Sequence, residues 1–447
     1  MKRLFQYLPI LLLLHAPLSA QATKEAPPKT EKKTDAETKD KKEAVDKTET
    51  EKKEAETKAE PAKKKSRKSP HKPLFGIDIN HDFKNPKEAF EETRQLILNN
   101  YYSNHITEKA LYWAAIRGML RYISPPEHPE LGAIWTPPQY GKVSNALKGE
   151  QVSLGIRSSF NGNDGSLTVS SILPGSPAEG IIQPFDRILR IDGKALKGLS
   201  VSDIDGLMNG EVGSSVNLTI VRDIKAFTIS LTREKFKVVN LETEILSDNI
   251  GYARLKSFTA GISNELSEKV EQMHKKGVTK LILDLRNNGG GVFVESMRVA
   301  EIFLPKTKIL LRTLTQSEGL RNFVSASPDA KPLSIAVLVD KKTASSCEIL
   351  AAALRDHGIG MIVGTKTYGK GVYEKTFTLK NDYRVKFIVG AMYSPLGKSW
   401  QTKGLTPDFA SQVDGNTFKA LMRVSPKERL KKDLPMITAY KLLLDKK

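Results

Sequence analysis

Ser345 stands in the run Thr343-Ala344-Ser345-Ser346-Cys347, between an apolar stretch over 335–339 and a helix-forming stretch over 348–355. A strand that turns into a helix at this point sets a hydroxyl at the helix N-terminus. The free amides there favour negative charge. A nucleophilic serine wants that placement, because the oxyanion it generates needs backbone donors already in place. The same position suits a helix cap, and Thr343, Ser345 or Ser346 could fill that role without any chemistry. A serine nucleophile also needs a base. His357 falls at the far end of the same helix, which is the wrong end. Lys370, in Tyr368-Gly369-Lys370-Gly371, follows the next strand (361–363), a path that returns it to the same sheet edge. Burial would lower its pKa and supply the neutral amine a base requires. The plainer alternative is a solvated turn lysine.

The segment Asp284-Leu285-Arg286-Asn287-Asn288-Gly289-Gly290-Gly291 is a glycine-rich passage from strand to helix. Its bare amides could form half of an oxyanion hole, or it could be only a loop. Two further patterns lead elsewhere. Gly364 to Gly371 comes close to a phosphate-binding loop, but Gly371 stands where a Ser or Thr would hold magnesium. The residues after it, 372–379, alternate like a strand, whereas a phosphate-binding loop must open a helix. Cys347 is the only cysteine, which excludes an internal disulfide and any multi-cysteine metal site, and it reads as a small packing residue. The seven histidines lack zincin spacing, so no metal and no cofactor is expected.

These groups must be positioned by more than one core, because 447 residues exceed one compact domain. The sequence divides as follows. Residues 1–22 read as a secretory signal: Lys2 and Arg3, a short apolar core, then Ala20-Gln21-Ala22. Residues 23–72 are a Lys/Glu-rich linker with one sizeable apolar residue, Val45, and are expected to be disordered. Their basic end, Lys63-Lys64-Lys65-Ser66-Arg67-Lys68, could touch an anionic envelope surface or be a passive spacer. Residues 73–145 form a small helical unit in which nothing suggests chemistry. Residues 146–235 carry short β patterns and one helix near 201–208. Residues 236–420 alternate strand and helix, with continuous apolar strands near 281–285 and 335–339, as in a buried parallel sheet. Residues 421–447 are a basic, helical tail. The net charge of +19 is dispersed and lacks an aromatic-interleaved basic stripe, which argues against nucleic acid. No apolar run approaches the ~20 residues of a membrane span.

With these residues in view, the sequence resembles the C-terminal-processing, or tail-specific, serine peptidases over residues 86–420. Ser153-Leu154-Gly155-Ile156 is similar to the PDZ loop whose amides catch a peptide carboxylate, beside a strand that pairs the peptide. Ser176-Pro177-Ala178 and Asp186 to Gly193 are PDZ-like phrases of this family. Leu283 to Asn288 with the glycines beyond resembles its oxyanion segment, Ser345 to Ile349 its nucleophile segment, Tyr368 to Gly371 its base segment, and Tyr393-Ser394-Pro395 through Gly404, Pro407 and Asp408 its closing motif. The resemblance implies an α+β multidomain fold: a helical unit, a PDZ-like β domain, and a peptidase core similar to the crotonase and caseinolytic-protease fold. It implies Ser345 as nucleophile, Lys370 as general base, the amides of Gly290 and Ser346 as oxyanion donors, and Leu154, Gly155 and Ile156 as peptide-binding. It implies C-terminal tails of exported proteins as substrates in the periplasm or cell envelope, with an adaptor and a homo-oligomer left open. The departures are Glu374 for a usual glutamine, Gly289 for proline, Ser346-Cys347 for Ala-Ser, and Pro125-Pro126-Glu127-His128 for Asp-Pro-His-Ser. Glu374 is expected to orient Lys370 yet stabilise its protonated form, the wrong direction for a base. The alternative reading is a catalytically weak or inactive PDZ adaptor of the same fold, with crotonase-like acyl chemistry as a third.

Overall fold

In the computed structural model of the chain, residues 83–446 are described. The signal and linker read over 1–22 and 23–72 lie outside the described residues. Those residues divide into two compact units, the smaller ending at Leu111 and the larger beginning at Tyr112. The smaller unit holds the helix Pro86–Asn100 and the start of the helix Glu108–Ile123. Thr107 caps the second helix, its Oγ1 accepting the Ala110 amide at 3.2 Å.

The larger unit contains a β domain whose six antiparallel strands run in the order Ile156–Asn161, Ser166–Ile172, Arg187–Ile191, Ser215–Arg222, Lys225–Thr232, with Lys194–Ala195 beside the third. The alternating apolar residues face inward, and Val169, Ile188, Ile191, Leu218 and Ile220 are fully buried. Two strands flank the loop 153–156. Glu150–Ser153 pairs with Glu234–Lys237, and Ile156–Asn161 begins the β domain. Gly155 makes the break. Its φ of +76° suits glycine, and a Cβ there would lie 2.0 Å from Ser176 Cβ.

The α/β core is a six-stranded sheet in the order Leu241–Ile245, Ile250–Leu255, Lys280–Asp284, Ser334–Val339, Gly360–Gly364, Phe409–Ala410. Only the first pair is antiparallel. Leu281, Leu283, Ile335 and Val337 face one side, against the helices Ile262–Lys275, Phe293–Glu301 and Ser346–Asp356. Ile282, Ala336, Leu338 and Val363 face the other. A second sheet, antiparallel throughout, joins Ala133–Trp135, Arg384–Tyr393, Ile309–Thr315, Gly319–Val324 and Val372–Thr378. The residues read as a helical unit therefore also hold a strand, Ala133–Trp135, paired with the core.

The C-terminal stretch read as a helical tail holds the helices Pro426–Arg429 and Leu434–Asp445, and the second packs on the core. Met436, Ala439 and Leu443 of the helix Leu434–Asp445 are fully buried on the second face of the sheet, against Ile250, Tyr252, Ile282 and Leu338. Charge composition hid this, because the lysines lie on the outer side of an apolar stripe.

Candidate active site

Three loops leave the sheet at the carboxyl ends of adjacent parallel strands: after Asp284, after Val339 and after Gly364. Parallel pairing of these strands brings the three loops to one edge, where such sheets build their sites. The loops are tied together by backbone bonds. The Ala344 amide donates to Asn288 O at 3.1 Å, and the Tyr368 amide to Thr343 O at 3.0 Å. Thr343 Oγ1 donates to Leu285 O at 3.0 Å.

Ser345 occupies the strand-to-helix turn with φ 60° and ψ −115°, a conformation that L residues rarely adopt. It is fully buried, and its Oγ has no hydrogen-bond partner among the described residues. A capping serine would complete a hydrogen bond to the helix, whereas this hydroxyl faces the Glu348 amide in a capping-box arrangement without one. Strain of this kind, held by the surrounding structure, marks functional turns and matches the sharp turn on which serine nucleophiles sit.

Glu348 sits beneath. Its buried carboxylate accepts from Thr367 Oγ1 at 2.6 Å and from the amides of Gly369, Ser345 and Lys370 at 2.7, 2.8 and 2.9 Å. Burial pushes its pKa above the ordinary value, against the pull of these four donors. The serine turn and the lysine loop are thus pinned to one side chain. Trp400 Nε1 donates to Lys370 O at 3.0 Å and Gln401 Oε1 accepts from the Gly371 amide at 2.6 Å, so the closing motif braces the same loop.

Lys370 is 3% exposed, and its Nζ lies 2.9 Å from Glu374 Oε2. Glu374 was expected to favour the protonated form of this lysine, and it does pull in that direction, but burial outweighs it. Burial pulls Lys370 below the ordinary lysine value, Glu374 pulls it up, and Lys386 pulls it down again, with a net lowering. Lys386 contacts the other oxygen of Glu374 and is itself buried. Nothing in the sequence singled it out.

Gly290 packs against the serine turn. A Cβ on it would lie 2.9 Å from Ala344 O and 3.0 Å from both Ser345 Cβ and Ser346 N. Its amide, expected as an oxyanion donor, is already spent on Asn288 Oδ1 at 2.8 Å. Ser346 N–H has no acceptor among the described residues, and its Oγ donates to Gly291 O at 3.3 Å. Cys347 is buried, with its thiol held well above the ordinary value by burial, as befits a packing residue.

The helical unit was read as free of chemistry, and one of its turns reaches the lysine loop. Tyr368, in the lysine loop, sets its hydroxyl 2.8 Å from His128 Nδ1. Glu130, two residues on, exerts an upward pull on Lys370.

In the β domain, Ile156–Asn161 is an edge strand. Leu154, expected at the peptide, is 1% exposed and packs in the domain core, so only its backbone is available to a ligand. The Gly155 amide donates to Ser153 Oγ at 3.1 Å. Ile156 is half-buried at the start of the edge strand.

Comparison with known proteins bears on all of this. Residues 249–411 match peptidase family S41, and residues 144–221 match the PDZ domain. A probable CtpA-like serine protease of Staphylococcus saprophyticus is 30% identical over 74% of this chain and 66% of its own length. One of Staphylococcus haemolyticus is 30% identical over 72% of this chain and 64% of its own. The chain thus spans just under two thirds of these relatives. A crystal structure of an S41 protease assignment from Bacteroides fragilis shares the fold, with a TM-score of 0.52 and 18% identity, covering 73% of this chain and 90% of that one. Among the described residues, no helix is long and apolar enough to cross a membrane.

Proposed function

The chain belongs to the S41 family of serine peptidases and carries a PDZ domain ahead of the peptidase core, and on that premise we propose that it is a C-terminal-processing endopeptidase working through a Ser345–Lys370 dyad. The observation that carries the reading is the strained, buried and unpartnered Ser345 hydroxyl, on a turn pinned through Glu348 to the loop of a lysine whose pKa is lowered.

In this reading the carboxylate of a polypeptide tail meets the loop 153–156, and the tail pairs with the edge strand Ile156–Asn161. Ser345 Oγ attacks the scissile carbonyl while neutral Lys370 takes its proton. The Ser346 amide receives the oxyanion. The Gly290 amide joins it once Asn288 Oδ1 releases it. The C–N bond then breaks, Lys370 returns the proton to the leaving amine, and an ester remains on Ser345. Water, deprotonated by Lys370, attacks the ester, and the proton passes back to Ser345 as the acid leaves. Ser345 and Lys370 are almost wholly buried here, so a substrate enters only after neighbouring segments move. The substrates are tails of exported proteins in the cell envelope. That part of the proposal stands on the signal-like and linker sequences, which lie outside the described residues.

A PDZ scaffold without turnover is the second reading, and the approach of Glu374 to Lys370 is the observation that favours it. Intact-mass analysis of the full chain with unstructured peptides ending in apolar residues separates the two. Cleavage by the starting protein that disappears in Ser345→Ala and in Lys370→Ala supports the dyad. Tail binding with no cleavage, unaltered by Ser345→Ala, overturns it in favour of the scaffold.

A further inference from the structure

We infer that Lys386 is a positioning residue of this site: by holding one oxygen of Glu374, it lets that carboxylate orient Lys370 without fixing a proton on it. The inference rests on the dyad proposed above and adds a residue that acts through Glu374.

The three side chains form a buried row. Lys370, Glu374 and Lys386 are 3%, 0% and 1% exposed. Glu374 meets Lys370 through Oε2 at 2.9 Å and Lys386 through Oε1. A register shift between Tyr373 and Glu374 interrupts the pairing of Val372–Thr378 with Arg384–Tyr393, and such bulges re-aim side chains. Lys386 reaches the row from the partner strand.

Two ammonium groups against one carboxylate leave an excess positive charge in a dry place, which favours loss of one proton. Geometry decides which lysine gives it up. Lys386 hydrogen-bonds Glu374, and its ammonium lies over the Trp135 ring, 5.9 Å from the centroid. Both contacts favour the charged form. Lys370 Nζ pairs with Glu374 Oε2 at 2.9 Å but off the alignment of a full hydrogen bond. Lys370 therefore faces a carboxylate whose other oxygen is already held by a second buried amine. The other charges around Lys370 are Glu130, from the turn Pro129–Leu131, and Glu348, which accepts from its amide. Glu130 pulls Lys370 toward its protonated form, so a counterweight at Glu374 is needed.

The test is the pH profile of kcat/KM for the full chain on an unstructured peptide. Lys386→Met frees Glu374 to hold Lys370 as the ammonium, so the acidic limb moves to higher pH by about one unit or more. Lys386→Arg keeps the charge and holds the limb near its original place. Glu374→Gln moves the limb to lower pH. The double variant Glu374→Gln/Lys386→Met buries neither charge and returns the limb to within about half a unit of the start. A Lys386→Met protein that loses rate with an unmoved limb overturns the inference, since a merely structural role predicts that result. If Lys386→Met does not fold, Glu374→Gln decides: a limb that fails to move down overturns it. The same shift is read without turnover from the NMR titration of the Lys370 side chain in Ser345→Ala protein, with and without Lys386→Met. Lys370→Ala is run in parallel. Cleavage that survives it sinks the dyad itself, whereas cleavage lost there beside an unmoved limb in Lys386→Met sinks only the role of Lys386.

Discussion

The backbone amides of Ser345 and Lys370 donate to the same atom, Glu348 Oε2, at 2.8 and 2.9 Å. The two nitrogens are therefore no further apart than two hydrogen bonds laid end to end, although the residues come from different loops. Glu348 sets the spacing of the proposed dyad while touching neither reacting atom. Glu348→Gln keeps the shape but replaces one accepting oxygen by a donor, which then faces amides that also donate. The expected result is a fall in kcat of about 100-fold with little change in binding of the peptide tail. Steady-state kinetics beside circular dichroism checks this, and a variant with unaltered kcat would refute the positioning role.

In the proposed dyad Lys370 must lose its proton to act. Its pKa lies below the ordinary lysine value, chiefly through burial. Cleavage should therefore rise with pH through a midpoint below that of a free lysine. Lys370→Arg preserves positive charge but cannot deprotonate, so it should be inactive at every pH tested. Stability follows the same sign. Between the lowered folded pKa and the unfolded value of 10.5, the unfolded chain binds more protons at this site, so its contribution grows as pH rises and is lost as pH falls through the folded pKa. Lys370→Met removes that slope, which urea melts at several pH values would show.

The turn at Ser345, the loop at Lys370 and the glycine segment after Asp284 were legible as strand-bounded turns because each is a short phrase beside a readable strand. The helix Val201–Met208 and the strand Arg187–Ile191 emerged at the expected limits for the same reason. Lys386 was not legible. It lies in a strand whose side chains alternate, and no local pattern says that a lysine on such a strand turns inward. Asp433 escaped for a related reason. Its partner Arg286 is remote in sequence, and a charged residue among basic neighbours reads as solvated until the fold buries it. The phrase around Leu154 marks a backbone site, and its side chain belongs to the domain core.

Arg286 joins the C-terminal helices to the loop after Asp284. It is 2% exposed and donates to Asp284 at 2.9 and 2.7 Å and to both oxygens of Asp433 at 2.8 Å. Asp433→Ala leaves a buried guanidinium half-paired and removes the cap of the helix Leu434–Asp445. The expected loss is about 3–5 kcal/mol, read from urea unfolding. Asp284 adds an acid dependence. Burial raises its pKa, but Arg286 and its hydrogen bonds outweigh that and lower it on balance. Its stabilisation is present above the ordinary carboxylate value and is lost as pH falls through the lowered one. Acid unfolding of Asp433→Ala should begin at higher pH than that of the starting protein.

The PDZ loop offers a test that leaves the peptidase core alone. Gly155 holds φ +76° with Ser176 Cβ where its own Cβ would be. Gly155→Val demands a conformation that a β-branched residue resists, and it also forces the loop 153–156 away from Ser176. The loop amides then lose the arrangement a terminal carboxylate needs, while Ser345 and Lys370, on the separate six-stranded sheet, keep theirs. Binding of a peptide with a free C-terminus should weaken at least 10-fold, an order-of-magnitude expectation for a lost charged hydrogen-bond site. Binding of the same peptide with an amidated end should be weak in both proteins. Fluorescence anisotropy with the two peptides checks this in Ser345→Ala protein, where turnover cannot confuse the reading. Equal affinity for free and amidated ends in the starting protein would show that the domain does not read the carboxylate at all.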